Sequence, residues 1–347
     1  SGYRGFGPSQ TLELAVPNGK PGSGLTVVVG ANNAGKSALW ESFDAVSRVF
    51  HQEVFFSEAR RNPVAEGGVS IELRWCSGGA LTLKTRDRDS SAATARWADG
   101  EPLQPGMVPF GAPVVAVPGR RQFNPYFVGH ENDAPNWASQ TTAYSRSETR
   151  DGFAGRLIAL DKEQGSKRSR FDERLSRLLG FELRWSIDAR DSDSGQDHYV
   201  KIRSSAHTAH STEGAGEGVV SLMFIVDALR DLAPGTLLAI DEPELSLHPE
   251  AVRQLRALLS EAAADRQVVI FTHSPLMVDW ADVQNGASVA RVHRVGDASR
   301  ISQPSREVLQ PIGEFTNDWR NPHVLGTNAN EALFLRDGIV VVEGQEE

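Results

Sequence analysis

Eight residues near the start of the chain, Gly30-Ala31-Asn32-Asn33-Ala34-Gly35-Lys36-Ser37, have the types and spacing that cradle phosphate. They match G-x-x-x-x-G-K-[ST]. The glycines let the backbone curl so that successive N–H groups face inward, and a following helix N-terminus adds partial positive charge. In that geometry Lys36 reaches the β- and γ-phosphates and the Ser37 hydroxyl ligates Mg²⁺. The expected nucleotide-binding set is Gly30, Asn32, Asn33, Ala34, Gly35, Lys36, Ser37 and Ala38, and the expected cofactors are ATP and Mg²⁺. A chance match by an ordinary glycine turn would lack the buried strand before the motif and the helix after it.

Three further segments could complete such a site. Leu237-Leu238-Ala239-Ile240 is an apolar run that delivers two adjacent carboxylates, Asp241 and Glu242. Ligands of open α/β sheets gather at the carboxyl ends of strands. Asp241 is expected to hold Mg²⁺, through a water, and Glu242 to polarise the attacking water. A strand-end acidic pair that merely caps a helix is the bland alternative. Gln267–Phe271 is a second buried run, ending in Thr272 and His273, and His273 is expected to contact the γ-phosphate or the attacking water. Glu213-Gly214-Ala215-Gly216-Glu217-Gly218 precedes a helix-like run, a second potential anion site that alone would read as a loop and cap.

The elements that must position these residues follow from periodicity. Thr11–Val16 and Leu25–Val29 read as strands, and Lys36–Phe50 as a helix with apolar residues at Leu39, Phe43, Val46, Val49 and Phe50. Val69–Trp75 and Ala80–Lys84 read as a hairpin, Asp87–Asp99 as loop, and Val114–Val117 as a short strand. Phe153–Leu179 reads as helical. Phe181–Ile187 and His198–Ile202 read as strands joined by a flexible acidic stretch, Asp188–Asp197. Then come a helix (Glu217–Leu232), a strand (Thr236–Ile240), a helix (Pro249–Ala263) and a strand (Gln267–Phe271). Strands alternating with helices of this length predict an α/β fold with a parallel sheet covered on both faces.

Bulk properties narrow the class. With 347 residues, 39% hydrophobic and 23% charged, the chain is ordinary for a globular protein. A net charge of −9 argues against a general nucleic-acid binder, though local basic patches remain open. The single cysteine, Cys76, excludes an internal disulfide and fits a reducing, cytoplasmic setting. No apolar run reaches the roughly 20 residues a bilayer requires, so no membrane partner is expected. The chain opens with Ser1 and stops just after the strand-like run Ile339–Val342, which reads as a piece of a longer protein.

Taken together, the four segments resemble the ABC/SMC-like ATPase superfamily: a P-loop, a glycine-rich signature before a helix, an Asp–Glu strand end, a D-loop and a switch histidine, in this order. Asn33 and the Asp241–Glu242 pair are typical of it. The resemblance implies a mixed sheet with N-terminal antiparallel strands and a more helical second lobe. It implies lobe I at about 1–118 and 233–335 and lobe II at about 119–232. It also implies a head-to-tail homodimer, or a higher even-numbered oligomer. ATP on Lys36 of one subunit would be capped by the Ser211–Gly218 segment of the other, with Gly214 and Gly216 toward the γ-phosphate. The signature departs from the transporter form Leu-Ser-Gly-Gly-Gln, which disfavours a transporter subunit. Gln122 is a candidate for the Q-loop glutamine, with Gln140 and simple surface roles as competitors.

The runs Asp241-Glu242-Pro243-Glu244-Leu245-Ser246-Leu247-His248-Pro249 and Thr272-His273-Ser274-Pro275 are similar to the OLD (overcoming lysogenisation defect) family. So is the tail, Asn330-Glu331-Ala332-Leu333-Phe334 followed by Gly338–Glu347 with its Val342-Glu343-Gly344. In that family such a tail enters a Toprim nuclease domain, here an incomplete first strand at 336–347. The matching metal positions are Glu343 and Glu347. The later Asp-x-Asp strand that a Toprim site needs is absent, so this chain alone is not expected to cut DNA. The implied function is an ATPase module that regulates a Toprim nuclease in cis, plausible in anti-phage defence, with DNA as a candidate partner. The alternative is an SMC-like ATPase in DNA repair, or a switch for an effector in trans.

Overall fold

The computed structural model describes residues 1–49, 54–76, 78–103, 114–119, 121, 126–127, 149–163, 165–192, 195–203, 209–211, 216–230, 232, 234 and 236–309. In chain order the strands are β1 (Leu25–Val29), β2 (Val54–Phe55), β3 (Ser70–Arg74), β4 (Ala80–Thr85), β5 (Ala92–Trp97), β6 (Val114–Val117), β7 (Tyr126–Phe127), β8 (Arg184–Ser192), β9 (Gly195–Arg203), β10 (Ala209–Ser211), β11 (Leu237–Asp241), β12 (Gln267–Thr272), β13 (Ser288–Val295) and β14 (Ala298–Ser302). The α-helices are α1 (Lys36–Val49), α2 (Thr149–Lys162), α3 (Ser166–Leu179), α4 (Glu217–Arg230), α5 (Pro249–Ala262) and α6 (Trp280–Asn285).

The central sheet runs β14-β13-β1-β12-β11-β6. All neighbours are parallel except the antiparallel edge strand β14, so the sheet is mixed. Its strands are apolar on both sides because both faces are covered, as parallel sheets require. Leu25, Val27, Val29, Leu238, Ile240, Val268 and Ile270 face one core, shared with α2 to α5. Val28, Leu237, Ala239, Val269 and Phe271 face the other, shared with α1 and the antiparallel sheet β2-β5-β4-β3. Successive residues of one strand thus enter different cores, as the period of two dictates. Each fully buried Leu, Val or Phe contributes about 1.5–3 kcal/mol.

On the helical side, the rings of Phe153 and Phe224 lie 4.6 Å apart. Arg156 Nε donates to the fully buried Asp227 at 2.6 Å, and Arg230 donates to its other oxygen at 3.2 Å. Among the described residues no helix is long and apolar enough to cross a membrane.

The structure corrects several expectations. Thr11–Val16 is not a strand. Its apolar alternation is real, with Leu12 and Leu14 half-buried and Ala15 buried. Its polar backbone, however, is met by side chains rather than a ladder. Ala15 N–H donates to Thr26 Oγ1 and Glu13 N–H to Gln303 Oε1. Asp87–Asp99 contains β5, which pairs with β4. The acidic stretch Asp188–Asp197 is ladder rather than loop, because β8 and β9 pair continuously from Arg184↔Arg203 to Ser192↔Gly195. The helix over 153–179 is two helices, with Gly165 at the N-cap of α3. The strand β13 and the edge strand β14 had no counterpart in the sequence reading. The strand proposed at 339–342 lies outside the described residues.

Candidate nucleotide site

The glycine-rich loop leaves β1 at Gly30 and enters α1 at Lys36. Two residues hold its curl in left-handed backbone, Asn33 (φ 62°) and Gly35 (φ 119°). Asparagine is the non-glycine residue that best tolerates that region. A side chain on Gly30 would overlap the Val292 carbonyl of β13, so glycine is required there by close backbone approach. Ser299 of β14 buttresses the loop from below, its hydroxyl donating to Ala34 O at 2.8 Å.

Lys36 is buried at 5% exposure. Its ammonium donates to the carbonyls of Gly30 at 2.8 Å and Ala31 at 3.1 Å. Burial pulls its pKa below the ordinary lysine value, and the charges of Glu242, Asp241 and Glu244 oppose that pull. The lysine of the loop and the acidic end of β11 therefore share one edge of one sheet. Ser37 is half-buried and Ala38 buried in the first turn of α1, while Asn32 and Asn33 are exposed.

The acidic pair is delivered by register. β11 pairs with β12 up to Asp241↔Phe271, and Glu242 N–H extends the ladder by donating to Phe271 O at 2.8 Å. Asp241 is buried. Glu242 then turns out of the sheet with φ 42°, a left-handed conformation that costs a non-glycine residue about 1–2 kcal/mol. Strain of this kind collects where a side chain must be aimed. His273 sits beside it, Nδ1 lying 3.5 Å from Glu242 Oε1 and 3.4 Å from Glu244 Oε1.

Two residues of this edge escaped the sequence reading. Arg121, 8% exposed, donates to the carbonyls of Pro118, Asp241, Glu242 and Pro243, and to Ser221 Oγ of α4 at 2.8 Å. It staples the end of β6 and the first turn and a half of α4 to the acidic end of β11. Burial pushes its pKa down to about 10, against the pull of Glu244, Asp241 and Glu242, so it remains a cation at neutral pH. Glu244, 7% exposed, accepts from the Thr272 hydroxyl at 2.5 Å and from His273 N–H at 3.2 Å. Arg121 carried no local signal, because most of its partners lie 100 or more positions along the chain. The Pro243–Glu244 step was the signal for Glu244.

The glycine-rich segment before α4 is described only from Gly216. A side chain there would meet open space, so Gly216 is not required by packing. Gly218 is the glycine under steric demand, since a side chain would press on the Ser246 carbonyl. Ser246 Oγ in turn donates to Glu217 Oε2 at 3.1 Å. The start of α4 and the turn after β11 are thus interlocked within one chain. Gly214, Gln122, Gln140, Glu343 and Glu347 lie outside the described residues.

Comparison with known proteins agrees with this architecture. Residues 119–279 match the family described as "AAA domain, putative AbiEii toxin, Type IV TA system". Over 113 residues the chain is 27% identical to the Old nuclease of Escherichia phage P2, a match spanning 32% of this chain and only 19% of that protein. The SMC head bound to the C-winged helix domain of ScpA superposes with a TM-score of 0.56 at 13% identity, covering 89% of this chain and 97% of that one. The SMC head of Pyrococcus furiosus with an extended coiled coil, bound to the C-terminal domain of ScpA, gives 0.53 at 12% identity, covering 90% and 97%. The fold is that of an SMC-type head, and the family match covers the stretch that carries β11, α5 and β12.

Proposed function

We propose that the chain binds ATP between the 30–37 loop and the carboxyl end of β11, and hydrolyses it there. The observation that carries this reading is the burial of Lys36 within electrostatic reach of Asp241, Glu242 and Glu244 at one sheet edge. In this reading Gly30, Asn32, Asn33, Ala34, Gly35 and Ala38 line the phosphates and Lys36 neutralises them. Glu242 orients the attacking water, and His273 senses the γ-phosphate. The Ser37 hydroxyl and Asp241 carboxylate supply hard oxygen donors of the kind Mg²⁺ takes. Gly119 keeps space beside Asp241, because a side chain there would stand 3.3 Å from Oδ2. Bound Mg²⁺ would neutralise charge developing on the transferred phosphoryl group.

The same reading divides the chain into lobe I, about 1–118 and 233–335, and lobe II, about 119–232. Two copies would meet head to tail, with Gly214 and Gly216 of one facing the nucleotide of the other. The OLD-like motifs and the match to the Old nuclease favour an ATPase that regulates a Toprim nuclease, with Glu343 and Glu347 as the first metal ligands of that domain. A role in anti-phage defence fits that assignment. The fold shared with SMC heads bound to ScpA favours the second reading, an ATPase switch for a separate protein partner.

Calorimetry tests the core of this proposal. Lys36→Ala removes the main cation facing the phosphates and should weaken ATP binding by at least about 100-fold, roughly 2.7 kcal/mol. Unchanged affinity would overturn the site. DNA cleavage by the full-length gene product that requires Glu343 selects the nuclease reading; ATP turnover without cleavage selects the switch.

A further inference from the structure

The third carboxylate at this edge, Glu244, has no part in the ATPase scheme above, yet it is more deeply buried than Glu242. We propose that Glu244 is the positioning residue of His273, fixing both the loop after β12 and the orientation of the imidazole. This rests on the ATPase reading and deepens it.

The contacts converge on one atom. Glu244 Oε1 accepts from the Thr272 hydroxyl at 2.5 Å and from His273 N–H at 3.2 Å, and His273 Nδ1 lies 3.4 Å away. The Thr272 hydroxyl in turn accepts from Ser274 N–H at 2.9 Å. The backbone on both sides of the histidine is thereby tied to one carboxylate. The other oxygen, Oε2, is buried and makes no hydrogen bond among the described residues. Leaving a buried polar atom unsatisfied costs about 1–3 kcal/mol. The two hydrogen bonds to Oε1 offset part of that cost, and both act on the residues that carry and precede the ring. Arg121 and Lys36 both feel its charge and offset the burial.

The two imidazole nitrogens are chemically distinct, and the partner of one sets the state of the other. With Nδ1 beside Glu242 and Glu244, Nε2 is the nitrogen left for another partner, and 46% of the side chain is exposed. Glu244 also supplies Nδ1 with a neighbour other than Glu242, which leaves the Glu242 carboxylate available to water.

A double-mutant cycle on ATP turnover tests this. Glu244→Ala should lower kcat by about thirtyfold or more, since a misplaced group near the chemistry costs up to about 100-fold. ATP affinity should stay within about threefold. Glu244→Gln, which keeps an acceptor at Oε1, should recover most of the loss. In a His273→Ala background, Glu244→Ala should cost less than about threefold further. Thr272→Val provides a milder probe should the alanine variant fold poorly, and its loss should also vanish without His273. Nitrogen NMR of the His273 ring should show the Nδ1–H form in the parent and its loss in Glu244→Ala. Additive costs, or an unchanged ring spectrum, overturn the assignment of Glu244 alone. Absence of turnover in the parent protein overturns the ATPase reading as well.

Discussion

At the carboxyl edge of the central sheet, buried groups of both signs meet: Lys36 and Arg121 against Asp241 and Glu244. At the amino edge, where Gly22 precedes β1 and Ser260 closes α5, one carboxylate, Asp282, is buried. Its Oδ1 accepts from the Ser260 hydroxyl at 2.5 Å, while Oδ2 is buried with no hydrogen bond among the described residues. Burial raises the Asp282 pKa, the Ser260 hydrogen bond opposing it. At the other edge the same physics lowers the pKa of the cations, and neighbouring carboxylates resist. At both edges burial pushes a charge toward neutrality; three carboxylates oppose the shift of the cations, whereas Asp282 is opposed chiefly by a hydroxyl, with Arg256 contributing least.

This contrast can be sharpened by substitution at either edge. The largest effect is expected from Glu242→Gln, which should lower kcat by at least about 100-fold while ATP stays bound. Turnover at the parental rate would mean that another group activates the water. Next comes Arg121→Ala. It strips four carbonyls and Ser221 of a donor and leaves Glu244 without one of the two buried cations that feel its charge, so denaturation should report a loss of about 3–5 kcal/mol. A loss below about 1 kcal/mol would show that the staple is dispensable. The smallest effect is expected at the amino edge. Because the folded-state pKa of Asp282 is raised, its contribution is present below the ordinary carboxylate range and is lost as pH rises through the raised value. Asp282→Asn should therefore stabilise the fold by about 1 kcal/mol at pH 7, and the gain should vanish near pH 4. Equal melting shifts at both pH values would contradict the burial argument.

The parts of this molecule legible in its sequence are those set by local rules. The 30–37 loop, β1, β11 and β12 announce themselves because glycine spacing and unbroken apolar runs admit few other structures. The hairpin β8–β9 was hidden because its middle is acidic, and an acidic stretch without apolar alternation looks like a solvated loop. β5 was hidden by its alanines, which carry little strand preference. Arg121 was invisible for a different reason. Its partners come from β11 and α4, 100 to 122 positions away, and no short pattern encodes a staple of that kind. Glu244 stood inside a segment already singled out, but only the fold shows that its carboxylate reaches back to the end of β12.

The tight passage of Gly30 beneath the Val292 carbonyl has a practical corollary for choosing probes. Any side chain at Gly30 must pry apart two adjoining parallel strands, so such a variant would lose tertiary structure before it reported on affinity. β13 and β14, which close the sheet beyond β1, thus act as the anvil on which the 30–37 loop is shaped, and damage to them would masquerade as damage to the loop itself.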